Sequence, residues 1–250
     1  MNVREEVVDL VGQIKRQLRD SQEIGLDAPF LSTARLDYLN RGGPQLDGAP
    51  SAEDFSCNSL KELEDFVSNC DRCKLSRERK NIVFGEGRAD ARLVFVGEAP
   101  GMEEDVTGRP FVGQAGRLLT DIIKAMGLTR DEVYICNVVK CHPPHNRDPE
   151  AEEIGTCLPF LKAQISLIKP RIICTLGRIS AQSLLDKGFK ITRDRGEWHS
   201  FMGIPLMPTY HPAYLLRYAQ AKRQVWEDVQ EIMLKLGLKD PRGLRNQNRD

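Results

Sequence analysis

Short apolar runs that alternate with helical patterns are the feature that most constrains how this chain can fold. Four runs have the length and apolar content of buried strands: 92–96, 133–139, 171–176 and 204–207. Helical patterns occur at 150–168, 180–185 and 220–236, and a further helical pattern ends at Gly127. A hairpin is predicted at Met202-Gly203. This order predicts an α/β fold, a three-layer α/β/α sandwich with a central four-stranded parallel sheet.

Composition divides the chain into three parts. Residues 1–56 begin with apolar side chains at helical spacing and then thin to Ala-Pro, Arg-Gly-Gly-Pro and Asp-Gly-Ala-Pro, which predicts an N-terminal helical extension and a linker. Residues 57–238 hold all four predicted strands and form the main domain. Residues 239–250 are a polar C-terminal tail.

Charge and hydropathy limit the classes of function. No apolar run reaches the roughly 20 residues of a membrane span, and the amphipathic N-terminus differs from a signal peptide. We therefore expect a cytoplasmic protein with no membrane partner. The 36 Lys and Arg balance the 36 Asp and Glu, unlike a protein that holds nucleic acid by bulk attraction. Any contact with DNA must be local.

Seven cysteines in a reducing compartment indicate metal binding or burial rather than disulfides. Cys70 and Cys73 have the spacing of a ligand pair, and Cys141 and Cys157 lie near prolines in settings typical of loops or helix starts. These four can close on one metal centre, and four thiolates suit zinc and an iron-sulfur cluster equally well. The other three are more typical of core or linker positions: Cys57, Cys136 and Cys174.

Two glycine-rich segments follow the first predicted strand. In 97–105 (GEAPGMEED), backbone can approach a ligand and Glu98 lies at the strand tip as a base or water-positioning group, although such a loop is more often an ordinary turn with solvated acids. In 108–116 (GRPFVGQAG), Phe111 stands among turn formers. Its ring offers a face to a flat ligand or, with similar frequency in such loops, fills the core.

Polar side chains follow the second and fourth predicted strands. Asn137 offers an amide donor and a carbonyl acceptor, the pair that reads the edge of a pyrimidine base, although a lone Asn is more often satisfied by nearby backbone. His211 is placed to donate a hydrogen bond to a departing group. The run 214–217 (YLLR) is an apolar wedge for a duplex or, more commonly, the first turn of a core helix.

Five segments together resemble a known family: GEAPG (97–101), ED (104–105), GRPFVGQAG (108–116), CNVVKCHPP (136–144) and PTYHPAYLLR (208–217). In order and wording they are similar to the family-four uracil-DNA glycosylases over about residues 60–236. The resemblance implies a DNA-repair enzyme, expected to be a monomer, that removes uracil from single- or double-stranded DNA by hydrolysing the N-glycosidic bond. It also implies a [4Fe-4S] cluster on Cys70, Cys73, Cys141 and Cys157, and so favours iron over zinc where spacing does not.

The resemblance implies roles for the residues at matching positions. The target nucleotide leaves the stack, because its glycosidic bond is not reachable inside a duplex. Glu98 positions water or stabilises the sugar cation, and His211 stabilises negative charge on uracil O2. Phe111 stacks on the base, Asn137 reads its edge, and Glu104 crowds C5 against the methyl group of thymine. The substrate-binding set is Gly97, Glu98, Ala99, Glu103, Glu104, Phe111, Asn137 and His211, and the candidate DNA wedge is Leu215, Leu216 and Arg217.

The chain departs from the family pattern in two places. Residues 1–56 have no counterpart in short members, and His142 stands where Arg is common. The chain also lacks the Lys/Arg-rich insertion ending in His of related glycosylases that trap their product, so we expect turnover. Three rival functions stay open: a glycosylase for other damaged bases, against which Asn137 argues, a DNA-binding iron-sulfur module without activity, and a zinc-stabilised interaction module.

Overall fold

The computed structural model describes residues 57–238, and the predicted extension (1–56) and tail (239–250) lie outside them. The helices are α1 (Leu60–Val67), α2 (Met102–Thr107), α3 (Gln114–Ala125), α4 (Ala151–Ile168), α5 (Arg178–Leu184), α6 (Ile191–Asp194), α7 (Pro212–Arg217) and α8 (Lys222–Leu236). Short 3-10 turns occur at Lys74–Arg77, Arg130–Glu132, Pro144–Asn146 and Ala219–Ala221. Within this part of the chain, no helix is long and apolar enough to cross a membrane.

Six strands form one sheet: β1 (Glu86–Gly87), β2 (Leu93–Gly97), β3 (Tyr134–Asn137), β4 (Ile172–Leu176), β5 (His199–Phe201) and β6 (Ile204–Thr209). Their order is β1-β3-β2-β4-β6-β5. The central four are parallel, which confirms the predicted parallel sheet, while β1 and β5 add short antiparallel edges. The chain leaves β2 for β3 on one side and later returns to β4 on the other, so the sheet has a topological switch point at β2.

Alternate residues of β2 pack into two cores on opposite faces of the sheet. Val94 and Val96 belong to the core that also contains residues of α1 and α4, whereas Leu93 and Phe95 belong to the core with α3 and α8. The buried residues of α8 recur at helical spacing: Val225, Val229, Ile232, Met233 and Leu236. The layers are therefore helix, sheet and helix, as the sequence predicts.

The predicted turns agree with the backbone. Met202 and Gly203 have φ values of 52° and 77° between β5 and β6, the left-handed pair that suits a two-residue hairpin turn. Gly127, with a φ of 78°, follows α3. Gly127 and Gly203 both have the left-handed backbone conformation that glycine adopts at little cost, which is why a glycine in the sequence predicts a turn at these positions.

Three short helices, α1, α2 and α6, were not predicted from the sequence pattern, and α2 lies next to the site. The segment predicted as a loop at 97–105 turns into α2, which ends at Gly108 with a φ of 70°. Six residues are too few to show a helical period, so tertiary contacts decide the conformation. Asp105 is 5% exposed and accepts hydrogen bonds from the backbone of Lys80 at 3.0 Å and Asn81 at 3.3 Å. This buried carboxylate fastens α2 to the preceding segment.

A buried ion pair joins α8 to the strand end that leads into the site. Asp228 is 2% exposed and accepts hydrogen bonds from Arg195 Nε at 2.9 Å and from Thr209 Oγ1 at 2.5 Å. Thr209 is the last residue of β6. The network therefore holds in place the turn that carries His211, two residues further along the chain.

We expect Asp228→Ala to lower the free energy of unfolding by about 3 kcal/mol, because it leaves a largely buried guanidinium without its partner. The matched control is Glu227→Ala, which removes an exposed partner of Arg223 and should change stability by less than about 0.5 kcal/mol. Urea denaturation of both variants measures the difference. Equal losses would show that the Asp228 network does not stabilise the fold.

Candidate active site

A cleft of about 520 Å³ opens where β2, β3 and β6 end. Parallel strands place the residues that follow them at one edge of the sheet, so segments far apart in sequence meet there. Six predicted site residues line the cleft together with Arg217 of the predicted wedge: Glu98, Ala99, Glu104, Phe111, Asn137 and His211. The structure thus brings all five sequence segments of the family resemblance into one site.

Gly97 leaves room for two of these side chains. A Cβ added at Gly97 would lie 2.3 Å from Asn137 Oδ1 and 2.5 Å from the ring of Phe111, far inside van der Waals contact. Gly97 and Asn137 are direct partners in the register of β2 and β3. Any larger residue at this position would therefore displace the amide, the ring or both.

Phe111 has a backbone conformation that the surrounding residues impose. Its φ of 54° is unusual for a bulky residue. Arg130 donates hydrogen bonds to the carbonyls of Phe111 at 3.0 Å and Pro110 at 2.8 Å, and a Cβ on Gly116 would come within 1.9 Å of the Phe111 oxygen. The ring lies 5.6 Å from the His211 ring, tilted by 34°. Phe111 is thus held against the cleft.

The carboxylate of Glu104 connects α2 to the loop that carries Phe111. Glu104 Oε1 accepts hydrogen bonds from the backbone N–H of Val112 at 2.8 Å and Gly113 at 2.9 Å. Glu104 Oε2 accepts from Gly101 at 3.1 Å. Three backbone donors fix the orientation of this side chain, which lines the cleft beside Phe111.

Asn137 carries a buried acceptor without a partner. Its side chain lines the cleft, the residue is 1% exposed, and Oδ1 makes no hydrogen bond within the described part of the chain. Buried polar atoms are normally paired, and an unpaired one costs about 1–3 kcal/mol. A donor group on a ligand in the cleft would satisfy this oxygen.

His211 is held in the tautomer that can donate into the cleft. It caps the N-terminus of α7, and its Nδ1 accepts a hydrogen bond from the Ala213 N–H at 3.1 Å. The proton of the neutral ring must therefore be on Nε2. Burial lowers the pKa of His211 to about 4, so near pH 7 the ring is a neutral hydrogen-bond donor.

Glu98 changes its charge near neutral pH. Its pKa is raised to about 7, mainly by burial and also by the neighbouring charge of Asp148, while Arg178 acts in the opposite direction. Arg178 is itself paired with Asp148 at 2.6 Å on the surface, which weakens its support for a second carboxylate. A carboxyl group with this pKa in a cleft is suited to acid-base chemistry.

The four cysteines predicted as ligands, Cys70, Cys73, Cys141 and Cys157, line a separate cavity. Arg72, Arg79 and Lys140 line it as well. Arg79 Nη1 donates to Cys141 Sγ and the Lys140 N–H to Cys157 Sγ, both at 3.3 Å. From residue 57 to 238, no three His, Cys, Asp or Glu side chains converge closely enough to hold one metal ion. Four cysteine thiols around one cavity with cationic neighbours are a donor set that an iron-sulfur cluster can use.

Cys157 lies inside α4. Its neighbouring proline had predicted a loop or the start of a helix at this position. The helix continues through Pro159 to Ile168. Burial raises the pKa of Cys157 to about 12 and also raises that of Cys141, so both thiols keep their protons until a metal replaces them. Cys136 and Cys174 are buried in β3 and β4, as the sequence predicts for core cysteines.

A buried lysine connects the cysteine cavity to Asn137. Lys140 is 1% exposed, and its Nζ donates to the Asn137 carbonyl at 2.7 Å and to Gln164 Oε1 at 2.5 Å. Gln164 in turn donates to the Phe84 carbonyl at 2.9 Å. The Asn137 backbone is therefore connected through hydrogen bonds to α4, the helix that also contains Cys157.

Some predicted residues do not line the cleft. Glu103 is exposed on α2, and Gly97 packs behind the lining. Leu215 is 2% exposed and belongs to the core under α3 and α8, which corrects its assignment to the DNA wedge. A six-residue helix presents only part of its surface to solvent, and Leu215 is on the side that packs. Leu216, at 48% exposure, is on the other side.

The cleft also contains residues that no sequence argument identified. The largest group follows β3 and comprises Pro143, Asn146, Arg147 and Asp148. His145 and Asn146 have φ values of 56° and 53° in this segment, a conformation in which Asn and His are enriched among non-glycine residues. The prolines and polar residues of 143–148 are typical of a loop, and this was the sequence feature that could have indicated a site residue here. Tyr214 was likewise seen only as part of the possible wedge.

The site combines an aromatic face, an unpaired amide oxygen, a neutral imidazole donor and a carboxyl group that titrates near pH 7. Together these groups suit a planar ring that carries both a hydrogen-bond donor and an acceptor. They also provide a donor for charge that develops on a leaving group and a carboxylate for a water molecule.

Comparison with known proteins agrees with this geometry. Residues 84–230 match the family model described as the uracil DNA glycosylase superfamily. The type-4 uracil-DNA glycosylase of Thermotoga maritima is 48% identical over 176 residues, 69% of this chain and 92% of the relative. The proteins of the same name from Sulfurisphaera tokodaii (48% over 184 residues, 70% and 84%) and Archaeoglobus fulgidus (40% over 191 residues, 73% and 96%) are also similar. Over most of its described residues, then, this chain belongs to the uracil-DNA glycosylase superfamily, and within it to the type-4 enzymes.

Proposed function

We propose that residues 57–238 form a glycosylase that removes uracil from DNA and leaves an abasic site for base excision repair. The observation that carries this proposal is the buried, unpartnered Oδ1 of Asn137 in the cleft. Uracil N3–H supplies the missing donor, and the Asn137 amide group donates to uracil O4. Cytosine presents the opposite pattern at these two positions, so it leaves both contacts unsatisfied.

The deoxyuridine nucleotide leaves the base stack and enters the cleft. The ring of Phe111 stacks on the base, and backbone of residues 97–99 adds contacts at its edge. Glu104, held by three backbone N–H groups, stands beside C5 and excludes the methyl group of thymine. An immobile carboxylate is effective here because it cannot move aside to admit the methyl group.

His211 and Glu98 act on the glycosidic bond. As the bond between N1 and C1′ breaks, its electron pair stays with uracil, and His211 Nε2–H donates to O2, where negative charge develops. Glu98 in its ionised form stabilises the cationic sugar and positions water, whose oxygen bonds to C1′ while its proton passes to the carboxylate. Because His211 is neutral throughout, it donates a hydrogen bond without transferring a full proton.

The DNA contacts lie around the mouth of the cleft. Leu216 is half exposed at the surface of α7 and occupies the place vacated by the flipped nucleotide. Arg217, which lines the cleft, pairs with a phosphate. We assign the activity to a cytoplasmic monomer that accepts uracil in single- or double-stranded DNA.

Cys70, Cys73, Cys141 and Cys157 would hold a [4Fe-4S] cluster. The cluster supplies a structural cross-link, since hydrolysis of the bond transfers no electrons. Cys70 and Cys73 follow α1, Cys141 follows β3, and Cys157 lies in α4. The cluster would therefore join these three segments at one corner of the domain. Arg79 and Arg72 place positive charge beside the anionic cluster, and the Lys140 N–H donates to Cys157 Sγ.

The function is tested with an oligonucleotide that contains one uracil. Wild-type protein should give an alkali-sensitive abasic site, and Asn137→Ala should lower the rate at least about a hundredfold, because both base-reading hydrogen bonds are lost. Asn58→Ala, which changes an exposed residue outside the cleft, is the matched control and should cleave like wild type. Lack of cleavage on single and double strands by iron-containing wild-type protein would contradict the proposal and favour another damaged base or a binding module.

The pH profile tests Glu98. Because its pKa is raised to about 7, the carboxylate is present above that pH and is lost on protonation below it, so kcat/KM should fall about tenfold per pH unit below 7 and level off above it. Glu98→Gln should lower the rate and remove this acidic limb. Glu152→Gln, an exposed acid at the start of α4, should keep the wild-type profile. An unchanged acidic limb in Glu98→Gln would exclude Glu98 as the titrating group.

The cluster is tested by removing one thiol. We expect Cys141→Ala to be purified with little iron and to melt about 10 °C or more below wild type, because the cross-link is lost. Cys174→Ala removes a buried thiol in β4, away from the cavity, and should keep its iron. Iron analysis and thermal melts give both results. An iron-free Cys141→Ala protein with wild-type melting temperature and activity would refute the structural role.

A further inference from the structure

Three tyrosine rings form a column that runs from the core to the surface beside the cleft. Tyr210 is 7% exposed, Tyr214 37% and Tyr218 47%. The ring centroids of Tyr210 and Tyr214 lie 4.7 Å apart at an interplanar angle of 26°, and those of Tyr214 and Tyr218 lie 4.6 Å apart at 34°. These distances are typical of stacked aromatic rings. Tyr218 is therefore the outermost ring of a continuous stack.

The inner end of the column is anchored. The Arg195 guanidinium lies over the Tyr210 ring, 5.4 Å from its centroid, and the same side chain pairs with the buried Asp228. Tyr214 has a neighbouring ring on each side, so its position is constrained by both. A ligand that contacts the outer ring meets a preorganised surface, which reduces the entropy lost on binding.

The position and charge of the column fit a nucleic-acid strand. Tyr214 and Arg217 line the cleft, and Tyr218 follows them at the end of α7. From residue 211 to 226 the chain has cations and no acid. Arg223 pairs with Glu227, so the local excess of positive charge comes from Arg217 and Lys222. In a chain with zero formal net charge, such a local excess is what attracts phosphates.

We propose that Tyr218 is a stacking platform for an unpaired base next to the target nucleotide, and that the tyrosine column makes this edge of the cleft a binding surface for single-stranded DNA. A base within a duplex is already stacked and paired, whereas an unpaired base is available to the ring. Every base has a π face, so the contact tolerates any sequence. This inference rests on the proposed function, which brings a DNA strand to the cleft.

The test compares two fluorescent single strands of equal length and charge, neither of which contains uracil. One is an oligothymidine and the other carries base-free tetrahydrofuran sugars throughout, so the ratio of their Kd values, measured by anisotropy, reports contacts to bases. Wild-type protein should bind the oligothymidine about tenfold more tightly. Tyr218→Ala should reduce the ratio to within about twofold. A wild-type ratio near one, or an unchanged ratio in Tyr218→Ala, would overturn the proposal.

Further variants separate stacking from changes in the fold. Tyr218→Phe keeps the aromatic face and should keep the ratio, whereas Tyr218→Leu keeps apolar volume and should lose it. Leu234→Ala removes an exposed apolar side chain of α8 and should bind like wild type. If Tyr218→Leu retained the wild-type ratio, general hydrophobic contact would explain the binding and the platform would be refuted.

The two proposals fail separately. Because the strands lack uracil, their binding does not depend on excision. Release of uracil by wild-type protein together with a base-independent Kd would overturn the platform alone. Loss of the ratio in Tyr218→Ala with a wild-type protein that releases no uracil would support the platform and overturn the proposed glycosylase.

Discussion

Asn137 and Phe111 share the space that a side chain at Gly97 would occupy, and the geometry of the cleft depends on this close approach. The amide oxygen and the ring edge both lie within 3 Å of the position that a Cβ would take. Their proximity follows from the parallel register of β2 and β3, which sets Gly97 opposite Asn137. Because Gly97 has no side chain, the Asn137 amide and the Phe111 ring can both line the cleft beside it.

Two buried polar networks hold the walls of that site. Lys140 and Gln164 connect the Asn137 backbone to α4, and Asp228 connects the end of β6 to Arg195 and α8. In each network the buried charge has hydrogen-bond partners, which is the condition for placing it in a low-dielectric interior. The Asn137 oxygen departs from this rule, because it is buried in the cleft without a hydrogen-bond partner among the described residues.

Burial shifts the pKa values of Glu98 and His211 in opposite directions, and both shifts favour the uncharged form. It raises the pKa of Glu98 to about 7 and lowers that of His211 to about 4, since the interior disfavours both the carboxylate and the imidazolium. Near neutral pH the histidine is therefore uncharged and the acid is only partly ionised. Such a pair of pKa values is what the proposed mechanism requires, a carboxyl group that can accept a proton near pH 7 and an imidazole that stays neutral there.

The parallel sheet, most of the longer helices and the hairpin could be predicted from the sequence, because apolar runs, the 3.6-residue helical period and turn glycines are local patterns. Its motifs identified six of the residues that line the cleft and the four cysteines that share a cavity. The tertiary structure was needed to show that Leu215 packs in the core, that the segment 143–148 reaches the cleft, and that three tyrosines stack beside it. These features depend on contacts between segments far apart in the chain, and no local pattern specifies which side of a short helix or loop those contacts will cover.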